Sequence, residues 1–191
     1  MAPAKGKILI ISAPSGSGKT TILKRVLAET PEVTYSVSAT TRKPRNNEVH
    51  GKDYFFVSEE EFLKGIKEGA FVEWEKVYDY YYGTYKNFIF DIINQGRHIL
   101  LEIDVKGALN IKSQFPESVS VFIIPPDIET LRQRLQNRKT ESEADLKKRL
   151  DLAVHELQEK DKFDYRVVNA ELDTAVKELH DLILKIIKKE N

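Results

Sequence analysis

The chain has 191 residues, of which 41% are hydrophobic and 31% are charged, so its composition excludes a disordered or collagen-like protein and favours one folded domain. It contains no cysteine, which excludes disulfide scaffolds, thiol nucleophiles and cysteine-ligated zinc. No apolar run approaches the roughly 18 residues of a membrane span, and the N-terminus lacks a signal-peptide layout. We therefore expect a cytoplasmic protein without a membrane partner.

The charge is balanced overall but uneven along the chain. The 30 basic and 30 acidic residues cancel, which argues against a nucleic-acid partner. Residues 1–52, however, hold nine Lys or Arg and only three Asp or Glu, a balance of +6. This excess indicates either an anionic ligand bound by this part of the chain or a chance feature of its surface.

The hydrophobic pattern predicts strands and helices in alternation. In chain order we predict a buried strand at 7–12, a helix at 18–29, short strands at 34–41 and 54–57, and a helix from the Ser58/Glu61 capping box to about Gly69. A β-prone stretch at 70–83 follows, and then a helix at 85–95, a buried strand at 98–104, a helix at 105–113 and a buried strand at 118–124. Asp127 caps the next helix, which has Ile128, Leu131 and Leu135 inward, and beyond the polar gap at 138–145 we predict a longer helix, a buried strand at 165–168 and a helix at 173–189.

This order predicts an α/β fold with a parallel sheet and helices on both of its faces. Residues 33–84 interrupt the alternation and are predicted to form a β-rich insertion. The two helices around the polar gap have the arrangement that a closing lid requires.

Residues 13–20, APSGSGKT, lie between a predicted strand and a predicted helix, which is the context of a P-loop. Gly16 and Gly18 can turn successive N–H groups toward an anion, and the following helix adds its positive end. Lys19 would face the terminal phosphates, and the Thr20 hydroxyl would be placed to ligate Mg²⁺. Ala13 replaces the first glycine of the general pattern; the alternative is an ordinary Ser/Gly-rich turn. We predict a nucleoside triphosphate site.

A second phosphate site is predicted further along the chain. Arg42 and Arg45 are three residues apart in a proline-containing loop, and Tyr54 follows. Arginine forks match phosphate oxygens, and a tyrosine hydroxyl can add a donor. Glu73 lies in an aromatic strand near Thr84, where a carboxylate could accept from N1–H and N2–H₂ of guanine, a donor pair that adenine lacks. A solvated strand residue is the alternative for Glu73.

The segments that carry these features together resemble the guanylate kinase family. They are SAPSGSGKTT, SVSATTRKPR, GKDYFFVSEEEF, FVEWEKVYDYYYGT, ILLEID and RLQNRKTESEADLKKRL, in order over nearly the whole chain. The resemblance implies transfer of the γ-phosphoryl group of ATP to GMP, and to dGMP, with Mg²⁺, in guanine nucleotide synthesis and salvage. It also implies three parts: a P-loop core (about 1–32, 85–126 and 160–191), a β-rich GMP-binding lobe (about 33–84) and a helical lid (about 127–159).

The resemblance also assigns site residues. For ATP they are Ala13, Pro14, Ser15, Gly16, Ser17, Gly18, Lys19, Thr20 and Thr21, and we add Asn169 at the edge of the adenine site. For GMP they are Arg42, Arg45, Tyr54 and Tyr82 at the phosphate, Ser38, Glu73 and Thr84 at the base, and Glu102 and Asp104 beside them. The catalytic cations are Lys19, Arg134, Arg138 and Arg149, and the metal ligands are Thr20 and Asp104.

Alternatives exist for several of these residues. Glu102 stands where the family usually has aspartate, which leaves the reach of that carboxylate open. Either Glu102 or Asp104 could instead cap the following helix, and the lid arginines could belong to a solvent-facing helix.

Two other functions are conceivable. Scaffold proteins carry related domains that bind phosphopeptides without catalysis, but Lys19, Arg138 and Arg149 argue against that class. A kinase for AMP or UMP is a nearer alternative, against which Glu73 and Thr84 argue.

Overall fold

A computed structural model describes residues 6–77, 79–136 and 143–188. The strands are β1 (Ile8–Ser12), β2 (Val33–Tyr35), β3 (Ala39–Thr40), β4 (Phe55–Phe56), β5 (Phe71–Val77), β6 (Tyr80–Tyr85), β7 (His98–Glu102), β8 (Val119–Ile124) and β9 (Tyr165–Val168). The α-helices are α1 (Lys19–Ala28), α2 (Glu59–Lys67), α3 (Lys86–Asn94), α4 (Val105–Gln114), α5 (Ile128–Gln136), α6 (Glu143–Gln158) and α7 (Leu172–Lys188), with a 3₁₀ turn at Glu159–Lys162.

The core is a five-stranded parallel sheet in the order β2-β7-β1-β8-β9. Strand β1 lies at its centre and is buried along its whole length. Leu9 and Ile11 point to one face, where α1 and α7 pack, whereas Ile8 and Ile10 point to the other, where α3 and α4 pack. This two-sided burial explains the continuous apolar run of β1 and confirms the predicted α/β fold.

A second sheet has the order β4-β3-β6-β5 and mixes parallel and antiparallel pairs. Helix α2 covers it through Phe62, whose ring stacks on Phe71 with a centroid distance of 4.4 Å. The capping box predicted at Ser58 is present, because the Ser58 hydroxyl accepts from the Glu61 N–H and the Glu61 carboxylate accepts from the Ser58 N–H. This sheet forms the β-rich insertion.

The structure differs from the predicted elements in three places. The stretch 34–41 is not one strand: residues Val33–Tyr35 pair with β7 in the core sheet, so the second sheet starts only at Ala39. Strand β9 is not buried, because it occupies the edge of the sheet and only Val167 of its four residues is enclosed. Ile128 is 50% exposed instead of inward, since it stands at the first turn of α5.

Helices α5 and α6 pack against each other through a small separate cluster. Leu131 and Leu135 of α5 are buried against Ala153 of α6. The predicted polar gap at 138–145 ends earlier than expected, because α6 begins at Glu143; residues 138–142, and Arg138 with them, lie outside the described residues. Among the helices described, none is both long and apolar enough to cross a membrane.

Candidate active site

The P-loop runs from the end of β1 to the first turn of α1, at the carboxyl edge of the core sheet. Gly16 and Gly18 have φ of 89° and 88°, in the left-handed region that favours glycine. A Cβ on Gly18 would also lie 2.4 Å from the Asn169 side-chain nitrogen. The Ser17 N–H closes a turn by donating to the Pro14 carbonyl at 3.1 Å. The loop conformation therefore depends on glycine at the positions that the motif indicates.

Lys19 opens α1 beside the loop and is half-buried. Its Nζ donates to the Ile103 carbonyl at 2.8 Å, which leaves two of its three ammonium donors for other acceptors. Burial lowers the pKa of Lys19, and the carboxylates of Glu102, Asp104 and Glu156 oppose that effect. A half-buried cation at a loop of this shape is suited to hold a phosphate chain.

Side chains from helix α6 and from the segment after β9 form hydrogen bonds with the P-loop. The Asn169 amide donates to the Ser17 carbonyl at 2.7 Å, and the side chain is almost fully enclosed. Arg149 donates to the Ser15 Oγ at 2.6 Å. Burial raises the pKa of the Glu156 carboxyl, and the neighbouring Ser15 backbone N–H opposes that effect. These contacts place α6 directly against the loop.

Arg134 of α5 also reaches this loop. Its guanidinium donates to the Asn169 carbonyl at 3.2 Å and, more weakly, to the Ser17 carbonyl at 3.5 Å. Two arginines predicted as catalytic, Arg134 and Arg149, therefore meet the P-loop from different helices. Arg138, the third arginine of that group, lies outside the described residues.

Glu102, at the end of β7, is held by two hydroxyl groups. Thr20 Oγ1 donates to its Oε1 at 2.7 Å, and the Tyr35 hydroxyl donates to its Oε2 at 2.9 Å. Burial and the neighbouring Glu102 charge raise the pKa of Tyr35 far above its ordinary range, so Tyr35 stays a donor. Asp104 instead caps α4, with its Oδ1 accepting from the Gly107 N–H at 2.8 Å.

These oxygens fit Mg²⁺, which prefers hard oxygen ligands and usually binds through one or two protein groups together with substrate phosphates. One hydroxyl, Thr20, and two carboxylates, Glu102 and Asp104, line the same cavity beside Lys19. Within the described ranges, no group of three or more His, Asp or Glu side chains surrounds a common metal position. The sequence pairs Thr20 with Asp104 as metal ligands, whereas the structure places Glu102 next to Thr20.

The loop that follows β3 forms a second basic centre. The Arg42 guanidinium pairs with both Glu48 oxygens at 2.9 Å and lies over the Tyr54 ring, 5.5 Å from its centroid. The Tyr82 ring meets the Tyr54 ring edge-on at 6.1 Å. Arg45 is exposed, and its backbone N–H donates to Glu48 at 2.7 Å. Bonds from Arg42 and Arg45 lower the pKa of the Glu48 carboxyl, which therefore stays ionised.

Glu73 lies directly opposite Thr84 in the β5–β6 pair. The buried Thr84 hydroxyl donates to its Oε1 at 2.6 Å, which orients the carboxylate. Burial raises the pKa of Glu73 to about 7, the Thr84 bond opposes this, and the Asp104 charge adds to it. A Cβ on Gly107 would lie 3.2 Å from Glu73 Oε2, which is a tight contact, so glycine at this position favours the close approach of the carboxylate to α4.

One cavity of about 890 Å³ joins these groups. That volume is within the range of small-molecule sites. The predicted site residues that line it are Lys19, Thr20, Ser38, Tyr54, Glu73, Tyr82, Glu102 and Asp104. Arg42 is not part of this lining, but it contacts three residues that are, Glu48, Tyr54 and Tyr82. The buried Thr84 is likewise outside the lining and bonds Glu73, which belongs to it. The phosphate-loop lysine and the Arg42 centre thus share one cleft.

Some predicted residues lie away from the cavity lining. These are Ala13, Pro14, Ser15, Gly16, Ser17, Gly18, Thr21, Arg45, Arg134, Arg149 and Asn169, most of which belong to the loop or contact it. Sequence reasoning missed Tyr35, Glu48, Gly107 and Glu156. Of these four residues, only Glu48 is marked by a feature of the sequence, because it is one of three acidic residues among the first 52, which are rich in Lys and Arg.

Comparison with known proteins shows the family of the chain. A family model described as guanylate kinase matches residues 5–186. The guanylate kinases of Caldanaerobacter subterraneus and Thermotoga maritima are 48% and 45% identical to this chain, over 94% and 97% of it and 87% and 88% of their own lengths. The crystal structure of guanylate kinase from Anaplasma phagocytophilum matches with a TM-score of 0.80 at 31% identity, covering 99% of this chain and 90% of that one. Because the family model covers nearly the whole chain and relatives match it at 45% identity or more over most of their length, the chain belongs to the guanylate kinase family.

Proposed function

We propose that this protein transfers the γ-phosphoryl group of ATP to GMP, giving ADP and GDP, and that dGMP is a second acceptor. The observation that carries the proposal is the single cavity that joins Lys19 and Thr20 of the P-loop to Glu73 and to the tyrosines beside Arg42. A triphosphate at one end and a guanine mononucleotide at the other would meet inside it. The likeness to guanylate kinases supports the same reaction.

The phosphoryl transfer needs no protein base. An oxygen of the GMP phosphate, ionised at neutral pH, attacks the γ-phosphorus, a new P–O bond forms, and the bond to the bridging oxygen of ADP breaks. Lys19 and the N-terminus of α1 stabilise the negative charge on the transferring group. Arg134 and Arg149 stand on the other side of the loop, where they would neutralise the repulsion between two polyanions.

GMP recognition would divide between two sets of residues. Arg42, Arg45, Tyr54 and Tyr82 would hold its phosphate. The Glu73 carboxylate would accept from guanine N1–H and N2–H₂, while Thr84 holds it in position and Ser38 lies beside it. A purine without that donor pair would cover the half-buried carboxylate and leave its Oε2 without a donor, which is costly.

Mg²⁺ would be held by Thr20 together with the carboxylates of Glu102 and Asp104. When bound, the ion screens the charge of the β- and γ-phosphates. Glu102 is already oriented by Thr20 and Tyr35, so it would need little reorganisation.

We propose the three parts that the family resemblance implies, with one changed boundary. We place β2 in the core, so the GMP lobe starts after Tyr35 and ends at β6. The lid comprises α5, the residues after it and α6. Closure of the lid over bound nucleotides would exclude water, which otherwise competes as the phosphoryl acceptor.

The proposed function is tested with a coupled assay of ADP formation, with ATP and Mg²⁺ and with GMP, dGMP, AMP, UMP or CMP as acceptor. We expect rapid ADP formation with GMP and dGMP and only a low rate with the other three. Equal rates with AMP would contradict guanine recognition, and ADP formation independent of any acceptor would contradict phosphoryl transfer.

We also predict that GMP affinity increases as the pH rises from about 6 to 8. The pKa of Glu73 is about 7 without ligand, and guanine donors require the ionised form. Binding below pH 7 must therefore release a proton, and affinity falls as the pH drops. Calorimetry at pH 6, 7 and 8 on the wild-type chain and Glu73→Gln measures this. The GMP phosphate titrates equally in both, so the ratio of their dissociation constants isolates Glu73, and a ratio independent of pH would contradict the prediction.

A further inference from the structure

We infer that Glu48 is a positioning residue for the GMP phosphate, one that fixes the Arg42 guanidinium and the Arg45 backbone in the geometry the phosphate needs. This inference rests on the proposed function. Glu48 itself would not touch the reacting atoms, and it would act through the two arginines.

The first support is the geometry of the pair. Arg42 and Glu48 form a bidentate bridge, in which NH1 bonds Oε2 and NH2 bonds Oε1, each at 2.9 Å. Their side chains are only 11% and 19% exposed. A bidentate pair whose side chains are this deeply buried fixes the plane of the guanidinium. An exposed ion pair, in contrast, restricts its side chains little.

The second support is that Glu48 does not occupy all the N–H donors of the Arg42 guanidinium. Glu48 accepts two of its five N–H groups, and NH1 also donates to the Lys43 carbonyl at 2.7 Å. Two N–H groups remain for the Tyr82 hydroxyl, which is a hydrogen-bond partner of this guanidinium, and for an anion. Glu48 therefore holds one edge of the fork and leaves another edge for an anion.

The third support is the link to Arg45. Glu48 Oε2 accepts from the Arg45 backbone N–H at 2.7 Å, and the Glu48 N–H donates back to the Arg45 carbonyl at 3.1 Å. Asn47, within this turn, has a left-handed φ of 72°. The single carboxylate thus closes the turn that carries the second arginine.

A different role for Glu48 makes the opposite prediction. If the carboxylate merely occupied the place of the phosphate, it would compete with GMP, and removing its charge would tighten binding. If it positions the arginines, removing its charge frees Arg42 to rotate and weakens binding of the phosphate.

The test compares the wild-type chain with Glu48→Gln in the coupled ADP assay and in calorimetry with GMP and with guanosine. For Glu48→Gln we expect the KM for GMP to rise roughly ten- to a hundredfold, as when other residues that orient a ligand group are lost. The KM for ATP and the affinity for guanosine should stay within about threefold, because neither ligand uses the Arg42 centre. Glu48→Asp keeps the charge but is one methylene shorter, so its KM for GMP should lie between those of the wild type and Glu48→Gln.

Glu68→Gln is the matched control, because Glu68 is an exposed carboxylate at the end of α2 in the same lobe. It should leave all constants near those of the wild type. An unchanged or lower KM for GMP in Glu48→Gln would overturn the inference, and so would an equal loss of GMP and guanosine affinity. Wild-type chain that makes no ADP in response to GMP would defeat the proposed function instead, while the GMP affinities of the two chains would still test Glu48.

Discussion

Replacing Lys19 by alanine should lower the turnover number by roughly 10³-fold or more, in the range for removal of a cation that stabilises a transferring phosphoryl group. Lys19 is the cationic side chain of the P-loop that lines the cavity, and it retains two ammonium donors for other acceptors. Its loss removes the P-loop cation that compensates negative charge on the γ-phosphoryl oxygens. Steady-state kinetics at saturating GMP and ATP measure the effect.

Two further variants separate charge from packing. Lys19→Met keeps the aliphatic stem and should lose nearly as much activity as Lys19→Ala. Lys177→Ala removes an exposed lysine of α7, which pairs only with Asp181 among the contacts described, and should behave like the wild type. Near-normal turnover of Lys19→Ala would show that the P-loop cation has no part in transfer.

Replacing Glu73 by glutamine should raise the KM for GMP by about a hundredfold or more and leave the KM for ATP nearly unchanged. The Thr84 hydroxyl occupies Oε1, so the new amide nitrogen would face the guanine donors. An amide N–H that faces the N–H donors of guanine leaves buried polar groups without hydrogen-bond acceptors. Sites built for specific hydrogen bonds discriminate strongly against mismatched partners for that reason. The preference for GMP over AMP should fall at the same time.

Glu75→Gln provides the matched control for this variant. Glu75 lies two residues further along β5, and its carboxylate bonds Lys106 at 2.6 Å instead of pointing to Thr84. We expect its KM for GMP to change by less than about threefold. Equal losses of GMP and ATP affinity in Glu73→Gln, measured by calorimetry, would mean that Glu73 does not read the base.

The core and the family were predictable because their signals are local in the sequence. Strand β1 reads as a continuous apolar run, and the P-loop glycines follow it directly. The family resemblance, which covers nearly the whole chain, is confirmed by the comparisons. The pairing of Glu73 with Thr84 follows from their facing positions on two neighbouring strands.

Other features depend on contacts between distant parts of the chain, which no local pattern reports. Tyr35 reaches Glu102 only because β2 joins the core sheet beside β7, 67 residues away in sequence. Glu156 meets the P-loop only because α6 packs across it. Gly107 matters for the approach of Glu73, and its neighbours in sequence give no sign of that contact.

The most direct test of this account is a crystal structure of the protein with GMP. The account requires a guanine base whose N1 and N2 lie within hydrogen-bond distance of the Glu73 carboxylate, and a phosphate held by Arg42 and Arg45 in the same cleft as Lys19. A base distant from Glu73, or a phosphate that neither arginine touches, would contradict it.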